Sequence, residues 1–467
     1  MLFHSLEFIF LFFPIVLIGY FVLNARKNTS YGLLWLSLSS LFFYGWWNPT
    51  YVWLILFSMA VNFCIGKHLV ARCRKAWCVG IGVAFNLLLL GYFKYMDFFI
   101  ENYNFVFRTE HALWHLVLPL GISFFSFTQI AYLVETYKGK VSRQDALSYM
   151  LFVSYFPHLL AGPIIHYEQM MPQFLDEKLK SVNWENMSKG LFLFSVGLCK
   201  KVLIADTLAE WADTGYAVVG SVELGMLTAW TIALSYTFQL YFDFSGYTDM
   251  ALGVSRMLNI KLPINFDSPY RAGSVIEFWR RWHITLSSFL RDYLYIPLGG
   301  NRRGTWRKYG NIMATMLLGG LWHGAGWTFV LWGGIHGAGI VVNHVFRAEK
   351  LSMSRWVSVP LTFLFVNFAW VFFRAQDMAQ AFSLLKSMCW FHGVQAISMG
   401  ADLALPDGRR EFLAVVGLFF LCQIVPNSIK MSEAFKPKKA WAVAAGILLL
   451  LGICCLNKST TFLYYQF

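Results

Sequence analysis

Charge is what this sequence has least of. Only 13% of its 467 residues are Asp, Glu, Lys or Arg, against roughly 25% in an ordinary soluble protein. That shortage excludes a water-exposed globular domain. Several catalytic signatures are missing as well. There is no G-x-S-x-G elbow, no G-x-x-x-x-G-K-[ST] phosphate loop and no H-E-x-x-H pair, so nothing points to serine hydrolase, ATPase or zinc protease chemistry. The eight cysteines (Cys64, Cys73, Cys78, Cys199, Cys389, Cys422, Cys454 and Cys455) form no C-x-x-C pair. They read as buried thiols, neither a disulfide framework nor a metal site. No internal repeat is visible. No basic n-region precedes the first apolar run and no small-residue cleavage site follows it, so residues 6–23 are expected to be a first spanning helix.

What is present is apolar and aromatic: 57% hydrophobic residues and 18% Phe, Trp and Tyr. Many runs approach the length of about 20 residues that crosses a bilayer. The expected fold is an all-α polytopic membrane protein, with about eleven spans plus re-entrant and interfacial helices. The net charge of +13 collects in short loops between apolar runs. This is the positive-inside pattern, implying anionic membrane lipid and no nucleic acid as the partner of these charges.

The chain reads as one membrane domain over 1–467, divided into N-terminal spans (1–140), a core (141–346) and C-terminal spans (347–467). Basic loops at Arg26-Lys27, at Lys67 to Lys75 and at Lys138–Lys140 are expected to face the cytoplasm. Spans are expected at 31–46, 50–66, 77–96 and 113–136, with the polar stretch 97–111 outside and a kink at Pro119 and Gly121. Prolines 157 and 163 with Gly162 interrupt the 155–165 run, which suggests a re-entrant piece. Further spans are expected at 189–205, 225–244, 311–323, 325–346, 355–373, 411–428 and 439–456. Between 255 and 310 basic residues are dense and Pro263, Pro269 and Pro297 cut the chain into short helices, marking a cytoplasmic segment. The loop 375–410, with Asp377, Asp402 and Asp407, is placed outside.

The chemistry gathers at a few polar groups. His323 is the one ionisable residue of the glycine-rich run Leu317–Trp327. A histidine at membrane depth is a functional-site candidate, and flanking glycines allow a ligand or another backbone to come close. His283 is the second candidate. A helix over 277–292 would put Trp279, His283, Leu286 and Leu290 on one apolar face and pair Glu277 with Arg281 on another. An imidazole titrates near neutrality, so it can take a proton from a hydroxyl and hand it to a leaving thiolate. Asp243 and Asp249 lie in an aromatic run, where carboxylates are costly unless paired. Arg280, Arg281, Arg302 and Arg303 are candidates to attract donor phosphates, while Trp322, His158 and Asn301 are candidates for the donor-binding or pore-lining set. No metal is expected, since the two histidines lack a carboxylate or thiolate at ligand spacing. His336, thirteen residues beyond His323, would be about 20 Å away on a continuous helix and so outside the proton-transfer step. His4, His68, His111, His115, His166, His344 and His392 read as loop or interface residues.

Four of these stretches resemble the membrane-bound O-acyltransferase (MBOAT) family. They are Tyr241-Phe242-Asp243-Phe244-Ser245-Gly246-Tyr247-Thr248-Asp249-Met250-Ala251, Glu277-Phe278-Trp279-Arg280-Arg281-Trp282-His283, Leu290-Arg291-Asp292-Tyr293-Leu294-Tyr295-Ile296 with Leu298–Arg302, and Gly319-Gly320-Leu321-Trp322-His323-Gly324. Gly91-Tyr92-Phe93-Lys94-Tyr95 and Phe156-Pro157-His158-Leu159-Leu160-Ala161-Gly162-Pro163 are similar to the polysaccharide O-acetylation branch, typified by bacterial alginate O-acetyltransferase membrane subunits. The resemblance implies a funnel through the bacterial inner membrane with the site midway, His323 as the family's characteristic histidine and His283 at its second active-site position. It implies an acyl thioester such as acetyl-CoA as cytoplasmic donor, with no bound cofactor. It also implies a periplasmic acetyltransferase partner of hydrolase-like fold, and an exported polysaccharide such as alginate or cellulose as acceptor. D-alanyl transfer to teichoic acid from a carrier protein is the alternative within the family, and a transporter the alternative outside it.

Overall fold

A computed structural model describes residues 1–25, 29–71, 75–141, 144–389, 408–436, 438–456 and 463. Among them the regular structure is helical, apart from one isolated bridge between Val219 and Val222. Helices suit lipid because they satisfy their backbone polar groups internally. The chain forms two compact units. The first comprises Met1–Leu198, Tyr247–Pro263 and Ser432–Leu456; the second holds Cys199–Gly246 and Ile264–Met431, with Leu463.

Five helices among the described residues are long and apolar enough to cross a bilayer: Glu7–Asn24, Thr50–Val70, Ala76–Phe107, Trp327–Ala348 and Arg355–Arg374. The pair Arg409–Ile424 and Ser428–Ala434, bent by 45°, makes a sixth if taken as one span. Other expected spans appear as helices of 16 or 17 residues, namely Thr29–Gly45, Ile122–Tyr137 and Lys439–Cys454. At about 1.5 Å per residue these fall short of a hydrocarbon core roughly 30 Å thick.

Several boundaries differ from expectation. The helix expected to stop near 96 runs to Phe107, because Asn102 and Asp97 are accommodated on it: Asn102 donates to Phe98 O at 2.7 Å, and Asp97 accepts from the backbone of Trp114 and His115. The next helix begins only at Ile122, so Pro119 and Gly121 precede it instead of kinking it; Gly121 takes φ 71° at its start. The 225–244 span extends through Met226–Met257 and carries both Asp243 and Asp249. The 189–205 span continues through π-helical Lys200–Ala205 into Asp206–Val218. The broken 155–165 run holds a four-residue helix, Phe156–Leu159, followed by a turn, and is buried throughout.

Cys78 and Cys199 are buried, but Cys64, Cys389 and Cys454 are exposed. An apolar neighbourhood in sequence therefore marks a lipid-facing side here as often as an interior. His4, expected in a loop or at an interface, lies in the turn before the first helix and is buried, 3% exposed. Arg26-Lys27, Arg72 to Arg74 with Cys73, His392, Asp402 and Asp407 lie outside the described residues.

Candidate active site

The site is built on a helical hairpin in the second unit. His323 is the last residue of Thr305–His323. Gly324 and Gly326 are extended, and Trp327–Ala348 returns alongside. Two glycines set how closely the helices approach. A Cβ on Gly320 would lie 2.2 Å from Phe329 O, and one on Gly333 would lie 2.2 Å from Met316 O. Small residues at such crossings let helix backbones touch where lipid supplies no hydrophobic drive. The hairpin brings Trp332 beside His323, with ring centroids 5.1 Å apart and planes at 86°. His336 is therefore not a helix length away: the same indole meets it at 4.8 Å. The expectation of a continuous helix fails because the turn at 324–326 folds the second helix back.

The second histidine stands at a break. Ser274 caps Val275–Arg281 by accepting from Glu277 N at 3.1 Å. The helix stops there, Trp282 is extended, and His283 adopts φ 42°, ψ 54° before Ile284–Leu290 begins. Asn265 holds this corner. Its carbonyl accepts from Ile284 N at 3.0 Å and its Oδ1 from Thr285 Oγ1 at 2.6 Å. The single helix expected over 277–292 is thus two, and Trp279, His283, Leu286 and Leu290 do not share one helical face. Trp282 and His283 are both buried, at 1% and 0% exposure. Adjacent residues on a helix point about 100° apart, and the corner lets both turn inward. Trp282 goes to Phe266 and Trp370, and His283 to Phe244, edge-on at 4.9 Å.

The two imidazoles meet. Their ring centroids lie 6.4 Å apart, with planes at 63°. Trp322 contacts both, at 4.9 Å from His323 and 6.3 Å from His283. Phe373 closes another side, 5.3 Å from His323. His323 is 4% exposed. The result is a pair of titratable rings in an aromatic box, a setting for moving a proton away from bulk water.

Comparison with known proteins gives this geometry a lineage. Residues 87–379 match the model of "MBOAT, membrane-bound O-acyltransferase family". A peptidoglycan O-acetyltransferase of Helicobacter pylori is 45% identical over 100% of this chain and 98% of its own. A probable alginate O-acetylase, AlgI, of Pseudomonas aeruginosa is 39% identical over 84% of this chain and 75% of its own. A teichoic acid D-alanyltransferase of Bacillus subtilis is 28% identical over 58% of this chain and 72% of its own. The chain belongs to the membrane-bound O-acyltransferase family. It is an acyltransferase and a multi-pass protein of the bacterial inner membrane.

The remaining candidate residues of the acyltransferase are exposed or make other contacts. Arg280 and Arg302 are exposed, as is Asn301, which accepts from Tyr295 OH at 2.5 Å. Arg281 directs its guanidinium to Glu277 at 3.0 Å, the pairing expected from their spacing, and to Asp267 O at 3.0 Å. His158 and Asp249 belong to the first unit, each buried; His158 Nε2 donates to Phe152 O at 2.9 Å. Among the described residues no group of three or more His, Cys, Asp or Glu is placed to hold a metal ion.

Asp243 lies in a buried ion network that sequence reasoning missed. Lys201 Nζ sits 2.7 Å from Asp243 Oδ1 and 2.8 Å from Asp206 Oδ1, each side chain 2–3% exposed. The backbone N–H of Leu463 donates to Asp243 Oδ2 at 2.8 Å. The available signal was a lysine in an apolar span, which needs a carboxylate as much as Asp243 needs a cation. The aromatic walls Phe244, Trp332 and Phe373 were also missed, being indistinguishable in sequence from ordinary core residues.

Proposed function

We propose that this acyltransferase carries an acetyl group from a cytoplasmic thioester, acetyl-CoA, to a hydroxyl on the far side of the inner membrane, for O-acetylation of peptidoglycan. The observation that carries the reading is the pair of buried imidazoles, His283 and His323, 6.4 Å apart in one aromatic box. His323 is the general base. It takes the proton of the acceptor hydroxyl as that oxygen attacks the thioester carbonyl. The C–O bond forms, the C–S bond breaks, and the imidazolium returns the proton to the leaving thiolate. His283 orients this base or steadies the oxyanion. The exposed arginines Arg280, Arg302 and Arg303 attract the donor's phosphates from the cytoplasmic side. A periplasmic acetyltransferase of hydrolase-like fold receives the acetyl group and passes it to the glycan.

Peptidoglycan is favoured over alginate as the acceptor because the relative bearing that name matches the entire chain at 45% identity, including the C-terminal quarter. D-alanyl transfer is less supported, resting on relatives of 27% and 28% identity over 50% and 58% of the chain. The test is base-labile ester on purified sacculi and on secreted polymer, in a deletion strain carrying the wild-type protein or His323→Ala. Acetate on sacculi that falls at least about 100-fold with His323→Ala is expected. A normally inserted His323→Ala protein that still supports acetylation rules out the base. Acetate on secreted polymer alone moves the acceptor, and D-alanine in place of acetate selects the alternative.

A further inference from the structure

The hairpin carries a second buried imidazole that the proton-transfer step does not use. His336 is 0% exposed on Trp327–Ala348. The indole N–H of Trp279 donates to its Nδ1 at 3.2 Å. A ring nitrogen that accepts carries no proton, so this imidazole is the neutral tautomer with its hydrogen on Nε2. Nε2 has no hydrogen-bond partner among the described residues. For packing alone a phenyl ring would serve better, since it buries no unsatisfied donor. The hydrogen bond His336 accepts from Trp279 is therefore the feature to account for.

That contact joins the two elements that bear the catalytic pair. Trp279 precedes His283 by four residues on the cornered segment, and His336 lies on the return helix of the hairpin that ends in His323. Trp332 completes the connection. It meets His336 at 4.8 Å on one side and His323 at 5.1 Å on the other, and it stacks on Trp370 at 5.4 Å and 22°. Phe278 stacks on His336 at 6.0 Å and 16°, which fixes the plane of the imidazole. Aromatic contacts alone let the hairpin slide against the segment by small amounts; a directional N–H···N bond sets one register.

We propose that His336 is a positioning residue for acyl transfer: its hydrogen bond from Trp279 sets the register between the His283 segment and the His323 hairpin, and through Trp332 the orientation of the His323 ring. This role rests on the reading of His323 as general base. Misplacing a base by a fraction of an ångström slows the chemical step more than it weakens donor binding.

The test uses the full-length protein in proteoliposomes with an acetyl thioester donor, following kcat and KM separately. The variants are His336→Phe, which keeps the ring and loses the acceptor; Trp279→Phe, which loses the donor; the double variant; and His336→Asn, whose amide oxygen restores an acceptor. Each single Phe variant is expected to lower kcat about tenfold with the donor KM within about twofold. The double variant is expected to be no slower than either single one, and His336→Asn to recover at least about half of kcat. A kcat within about twofold of wild type in either Phe variant overturns the role, as do losses that multiply in the double variant or a change confined to KM. If one Phe variant does not fold, the other decides by the same kcat criterion. His323→Ala runs in parallel. Full transfer in that variant overturns the base assignment and this role with it, whereas loss there beside wild-type kcat in the other variants overturns this role alone.

Discussion

His283 occupies the left-handed region of backbone space, which costs a non-glycine residue about 1–2 kcal/mol. Asparagine tolerates that region better than most residues, so His283→Asn removes the imidazole while keeping the corner. The expected outcome is a protein with an unchanged thermal midpoint in detergent and acetyl transfer reduced about 100-fold or more. Unaltered transfer in this variant would remove His283 from the chemistry. Lys201 offers a contrasting case. Replacing it by Met leaves Asp206 and Asp243 facing each other in the interior, and stripping one partner from a buried ion pair costs about 3–5 kcal/mol. Lys201→Met is expected to unfold at a lower temperature, and adding Asp206→Asn with Asp243→Asn to recover much of the loss. His323 is legible in the sequence because it is the one ionisable group in its run. The posture of His283 is not, since the corner depends on Asn265, eighteen residues earlier, and no local pattern announces it.

At the scale of elements, the hairpin's close approach is the feature most exposed to substitution. A methyl on Gly333 meets Met316 O at 2.2 Å, whereas one on the next residue, Gly334, meets only Leu317 Cδ2 at 3.4 Å. Gly333→Ala is expected to destabilise by about 1–3 kcal/mol and to slow transfer by moving Trp332 off His323; Gly334→Ala is the control expected to leave both near wild type. Thermal melts and initial rates on the pair read this directly, and equal behaviour of the two would count against the crossing. The first unit is tied differently. Asn62 and Asn86 exchange side-chain hydrogen bonds at 2.7 and 3.2 Å, and Gln129 bridges Ser58 Oγ at 3.0 Å and Tyr149 OH at 3.1 Å. Asn62→Leu, which strands the Asn86 amide, is expected to cost about 1–2 kcal/mol, and Asn62→Leu with Asn86→Leu less than twice that. Hydrophobic period predicts that helices exist, but not where they turn π-helical. Gly91–Tyr95, Lys200–Ala205 and Arg291–Tyr295 are such turns. Two of them coincide with stretches singled out by resemblance, and the third carries Lys201.

For the whole molecule, composition alone makes the membrane legible, because a chain with 13% charged residues and a net charge of +13 has few other homes. The number of crossings is less legible: 16-residue helices and broken segments look like spans to a hydropathy window. Side of the membrane is testable. The exposed loop at Asn301, Arg302 and Arg303 is read as cytoplasmic. In a protein stripped of its eight native cysteines, Asn301→Cys is expected to react with an impermeant maleimide in inverted vesicles and not in intact spheroplasts. Labelling from the outside would reverse the topology. One consequence reaches beyond the fold. Phe244, Trp322, Trp332 and Phe373 surround the two histidines, and the phenyl faces among them offer a water molecule none of the polar partners it needs to settle. If the donor's acyl group is held there as proposed, a hydroxyl delivered on a larger molecule would meet it more readily than solvent would. On the reading proposed above, the aromatic box would then disfavour wasteful hydrolysis of the donor and spare activated acyl groups while the enzyme waits for its acceptor.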